Sequence, residues 1–194
     1  GTYTPGTSPV GNYSYSVSGT APCVLATAVV TVSAFVPPNA GTDGALLLCS
    51  SDGATNLYPA LGGSTAGGTW SAPGGGASTG SINPATAASG AYSYTVPANG
   101  PCPADVAQVQ VTITTAPVAG TNGTQSLCSS SSGSFALVNA LGGSPDAAGA
   151  WTFGGIAHGP NYVPGTDAPG VFTYTVQGGA PCGSASATVT MSVV

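Results

Sequence analysis

The chain has 194 residues, 42% of them hydrophobic and only 3% charged; it contains no Lys or Arg, and five Asp set its net charge at −5. Without a cationic side chain it cannot neutralise phosphates, which excludes nucleic-acid binding and a polybasic membrane contact. No apolar run approaches the ~18 residues of a spanning helix, so direct membrane insertion is not expected. The hydrophobic content argues against disorder, and five Cys among 31 Gly and 17 Pro suit an oxidising, extracellular compartment.

In chain order, the first element is a strand in which Tyr13, Tyr15 and Val17 alternate with Ser14 and Ser16, the period of two that leaves one face to bury. Residues 41–63 read GTDGALLLCSSDGATNLYPALGG, an apolar run ending in Cys49, with one helical turn predicted ahead of the glycines. Trp70 in GGTWSAP marks a further strand. Tyr92, Tyr94 and Val96 form the next, and a short Gly/Pro loop ending in Cys102 leads to Ala107, Val109, Val111 and Ile113 alternating with polar residues. Two such runs joined by a short loop predict an antiparallel hairpin. The whole series then recurs: GTNGTQSLCSSSSGSFALVNALGG, Trp151 in AGAWTFGG, Phe172, Tyr174 and Val176, a loop ending in Cys182, and a last strand from Ala185 to Val193.

The recurrence has a period of about 80. Cys49 and Cys128 are 79 apart, Cys23 and Cys102 79, Cys102 and Cys182 80, and Trp70 and Trp151 81. The domains expected are therefore 41–119 and 120–194, each a complete repeat, with 1–40 the C-terminal half of another. Several short strands with turn signals in each unit predict an all-β fold of tandem immunoglobulin-like β-sandwich repeats. The cysteines that follow the Tyr-rich strand, rather than lying in it, make the match to an antibody domain a loose one.

Two cysteine pairings are open. Cys49–Cys102 and Cys128–Cys182 would clasp each repeat internally and leave Cys23 to a partner upstream, as in an excerpt of a longer chain. Cys23–Cys49 and Cys102–Cys128 would cross the repeat boundaries and leave Cys182 over. The first is preferred, because small domains with thin cores gain most from an internal bond.

The pattern GTDG…LC…LGG…GTW…GxYxYTV…APC…ATVTV resembles the tandem repeats of very long surface proteins of gliding and related Bacteroidota, across almost all of the chain. The resemblance implies a secreted, filamentous or stalk-like role in cell adhesion or gliding motility, export by the type IX secretion route, and no catalytic residues.

Few residues offer chemistry. His158 is the only histidine and is expected in an exposed loop; no GxSxG elbow accompanies it. No two cysteines are spaced as CxxC and no DxDxDG loop occurs, so neither zinc nor another cofactor is expected, although Asp43 is a candidate calcium ligand at a repeat junction. Trp70 and Trp151 are expected in the core over a disulfide, with glycan stacking as their alternative role. Asn12 and Asn122 begin glycosylation sequons. The function expected is a structural repeat segment of an extracellular cell-surface adhesin, stalk or filament, and the alternative is a glycan- or surface-binding module. The partners expected are neighbouring repeats of the same chain, with lateral or head-to-tail copies in a filament.

Overall fold

The alternating runs form strands throughout the structure, a computed structural model that describes all 194 residues. The first two, β1 (Gly11–Val17) and β2 (Ala26–Val32), pair antiparallel with Gly11 opposite Val32 and Val17 opposite Ala26. This hairpin has no sheet to cover it. Tyr15 is 71% exposed and Val30 62%.

The next strands are β3 (Gly44–Cys49), β4 (Thr55–Asn56), β5 (Thr69–Ser71), β6 (Ala77–Ser78), β7 (Ser81–Ile82), β8 (Gly90–Val96) and β9 (Asp105–Thr114). Five of them make a sheet in the order β3-β9-β8-β5-β6, and β4 and β7 pair as a small second sheet. Strand β8 pairs antiparallel with β9, Gly90 opposite Val111. By contrast β3 runs parallel to β9, with Gly44 opposite Val109 and Cys49 opposite Thr114. A parallel first and last strand is the feature that sets the ends of the repeat: Cys49 leaves the sheet where β9 ends, not where it begins.

The inward face of β8 and β9 contributes Tyr92, Tyr94, Val96, Ala107, Val109 and Val111 to a core closed by Leu57, Leu61 and Ile82 from the thin second layer. Thus the second face of the sandwich is one short strand pair and the 3-10 turn Tyr58–Ala60 rather than a full sheet.

The same arrangement recurs in β10 (Gly123–Leu127), β11 (Phe135–Ala136), β12 (Ala150–Phe153), β13 (Ile156–His158), β14 (Asn161–Tyr162), β15 (Gly170–Val176) and β16 (Ala185–Val193). The sheet order is β10-β16-β15-β12-β13 with β11-β14 opposite, and β10 again lies parallel to β16. Its own core holds Leu137, Tyr162, Phe172, Val189 and Met191. No residue belongs to both cores.

The GTDG and GTNG motifs have a steric reason. Thr42 and Thr121 bridge to Gly62 and Gly142 of the LGG motifs, backbone to backbone. The chain then turns so tightly that a Cβ on Gly44 or Gly123 would collide with the carbonyl oxygen of Ala60 or Ala140. No helix is long and apolar enough to cross a membrane.

Candidate functional site at the repeat junction

The one disulfide joins Cys49 to Cys182, with Cα atoms 5.0 Å apart and a sequence separation of 133. Neither pairing expected from the sequence forms: Cys49 does not meet Cys102 or Cys23, and Cys128 does not meet Cys182 or Cys102. Cys23, Cys102 and Cys128 are free thiols. The reason lies in the strand directions. Cys49 lies at the end of β9 and Cys102 just before its start. The ten residues of β9 therefore separate them by about 30 Å at ~3.3 Å per residue, several times the Cα span of a disulfide. Strand β16 separates Cys128 from Cys182 in the same way. What does come together is the end of one repeat and the hairpin loop of the next.

Both cysteines of the bond are buried, at 3% for Cys49 and 7% for Cys182. The Cys49 amide donates to Asp52 Oδ2 at 2.7 Å, and the amide of Ser50 donates to the Thr114 carbonyl at 2.9 Å, fixing the turn that presents the sulfur. From the other side, the Thr114 hydroxyl donates to the carbonyl of Ala180 at 3.1 Å. Ser50 Oγ accepts the amide of Ala116 at 2.8 Å, holding the outgoing linker against the same turn.

Trp70 and Trp151 pack on tyrosine and not over a disulfide. Their rings lie 5.1 and 4.9 Å from those of Tyr94 and Tyr174. Trp151 is 5% exposed, while Trp70 is half-buried with its indole against Gly80. The tyrosines carry the polar handle a buried ring needs. Tyr94 donates to the Thr65 carbonyl and accepts from the Gly68 amide, both at 2.8 Å; Tyr174 bonds the Asp146 carbonyl and the Gly149 amide. Tyr92 donates to the Ala88 carbonyl four residues upstream at 3.0 Å, a tyrosine corner, and Tyr13 does the same to Pro9 at 2.6 Å. These hydroxyl bonds went unread in the sequence, although the two-residue aromatic spacing recurs in each unit, as Tyr13/Tyr15, Tyr92/Tyr94 and Phe172/Tyr174.

The five carboxylates are all taken up by backbone amides. Asp43 accepts from Gln108 at 2.8 Å, Asp52 from Cys49, Asp105 from Ala40 at 2.8 Å, Asp146 from Val118 at 2.8 Å and Asp167 from Val163 at 2.6 Å. Asn122 stands where Asp43 does one repeat earlier and accepts from Thr188 at 2.8 Å. Asp43 is thus a brace between the linker and β9, and no three of the His, Cys and Asp side chains converge as a metal site would require. Asn12, the other sequon residue, accepts from the Thr31 hydroxyl across the hairpin.

His158 lies in β13, not in an exposed loop. Its Nε2 is 3.3 Å from Asp167, its Nδ1 2.8 Å from the Gly159 carbonyl, and its ring meets the edge of Phe172 at 4.8 Å. Both ring nitrogens are occupied, and neither faces a serine hydroxyl.

No family of known sequences matches the chain, and no curated protein matches it in sequence. Solved structures do. The I-band fragment I67–I69 from titin superposes with a TM-score of 0.54 over 95% of this chain and 75% of that one, at 11% identity. An E-to-A variant of the same three immunoglobulin domains gives 0.50 at 9% identity, with the same coverage. The fold is therefore that of tandem immunoglobulin-like β-sandwich repeats.

Proposed function

We propose that the chain is a structural repeat segment of an extracellular adhesin, stalk or filament, in which residues 41–119 and 120–194 are spacer units and 1–40 is the second half of another. The observation that carries this reading is the Cys49–Cys182 bond, because it ties successive repeats to each other where a bond made for stability alone would clasp one core. Further support comes from the side chains: the carboxylates, the histidine and the core tyrosine hydroxyls brace the fold through internal bonds. A disulfide suits an oxidising compartment, and the near-absence of charge offers little repulsion to lateral packing of copies. The resemblance to surface proteins of gliding Bacteroidota supplies the adhesion and type IX export parts of the proposal.

The alternative, a glycan-binding module, is favoured by one feature only, the half-exposed Trp70. A dense glycan array read together with tryptophan fluorescence separates the two. A spacer retains no glycan, and a soluble quencher reaches Trp70 but not Trp151. Retention of a glycan that protects Trp70 from the quencher favours the binding module.

A further inference from the structure

The contacts that surround the disulfide have counterparts at the other junction, where one cysteine is in place. The residue one period before Thr114 is Phe35, and those before Gly179 and Ala180 are Asn99 and Gly100. At the second junction, Thr114 bonds the Ala180 carbonyl and its methyl faces Gly179. At the first, Gly100 packs against the Phe35 ring, and Asn99 Nδ2 donates to the Val36 carbonyl at 2.9 Å. The hairpin loop of each repeat therefore sits on the end of the strand before it in both places. Cys102 closes the same loop turn as Cys182: its amide donates to the carbonyl of Asn99 at 3.1 Å, as that of Cys182 does to Gly179 at 2.8 Å.

We infer that Cys102 is the receiving half of a second inter-repeat disulfide, whose other sulfur sits on a strand of the β3 kind laid parallel along the free edge of β2. That strand belongs to the same repeat as the β1-β2 hairpin. Two independent features call for it. One is the half-buried thiol of Cys102, placed as Cys182 is. The other is the hairpin itself: the equivalents of Tyr15, Val17 and Val30 in both full repeats are buried, whereas these three residues are half or more exposed. Register follows from β3 on β9: an incoming Gly44-type residue lies opposite Val30, and its Cys49-type residue opposite Phe35, beside Gly100. The mirror of this half-site is Cys128. Its carbonyl accepts the amide of Ser131 as that of Cys49 accepts Asp52, and Ser129 bonds Val194 as Ser50 bonds Thr114. Cys128 thus has the turn of the donating half. The inference stands on the repeat symmetry and does not require the adhesin reading.

The chemistry is a dithiol oxidation. Two thiols lose two protons and two electrons as the S–S bond forms, and a small disulfide of the glutathione type takes these up, becoming two thiols.

The test completes the first repeat with the chain's own sequence. Gly1 aligns with Gly80, so residues 41–79 are placed directly ahead of Gly1, and the extended chain is refolded in a glutathione redox buffer, alkylated, and mapped by non-reducing peptic digestion. The result expected is a bond from the added cysteine to Cys102, with Cys49–Cys182 retained and alkylation lost at Cys102 alone. In a second chain carrying Cys102→Ser, the added cysteine becomes alkylatable and Cys23 does not replace the missing partner. A bond from the added cysteine to Cys23, or a chain that forms Cys49–Cys182 yet still alkylates Cys102, overturns the inference.

Discussion

Five carboxylates persist in a chain with no cationic side chain, and each accepts a backbone amide at a bend or between a linker and a strand. The requirement at such a position is for a short side chain ending in an acceptor, not for a charge, as the Asn122–Thr188 bond shows. Asp43→Asn should accordingly change stability by less than about 0.5 kcal/mol, and Asp43→Ala should cost about 1–2 kcal/mol, measured by chemical denaturation. At Gly123 the constraint is steric: a methyl group meets the Ala140 carbonyl, and Gly123→Ala should cost about 3 kcal/mol or more. Of the two tryptophans, Trp151→Ala should cost about 3–5 kcal/mol and Trp70→Ala clearly less, since only the former is fully removed from water. The sequence displayed the residues but not these roles. Asp43 was read as a candidate calcium ligand, because the partner amide that makes it a brace lies 65 residues away. His158 was misplaced because three residues of strand in a glycine-rich stretch carry no readable period.

At the scale of elements, the long strands were legible because their alternation is uninterrupted: β8, β9, β15 and β16 coincide with runs of seven to ten residues in which every second side chain is buried. The thin layer was not legible. Strands β4, β7, β11 and β14 are two residues each, too short for any period. The strand direction was missed as well. An apolar run such as Ala45–Leu48 is compatible with either direction, and only the parallel partner β9 places Cys49 at the far end of the repeat. That single unread fact accounts for the failure of the preferred pairing within each repeat. Since the bond closes a loop of 133 residues, the chain-entropy relation assigns it about 5 kcal/mol against the reduced, unfolded chain. Cys49→Ser should therefore lower the melting temperature of the repeats without altering the far-ultraviolet spectrum of the folded chain, as read by circular dichroism against the parent protein.

Over the whole molecule, the accessible surface is 11,436 Å² for 18.3 kDa, against roughly 8,100 Å² for one compact globule of that mass. The excess is what two separate cores and an uncovered hairpin produce. It distinguishes a string of units from a fused domain, the shape that the proposed spacer role requires. The two kinds of cysteine linkage make different mechanical objects. An internal clasp shortens each unit's unravelled length, whereas Cys49–Cys182 locks most of both units out of the force path. Single-molecule stretching from the two termini tests this directly. The oxidised chain should fall short of the reduced chain's full extension by about 450 Å, the length of the 133-residue loop at ~3.4 Å per residue, and reduction should release two unfolding steps of similar size. A shortfall near 180 Å, matching a loop of about 53 residues inside one repeat, or no shortfall at all, would contradict the account.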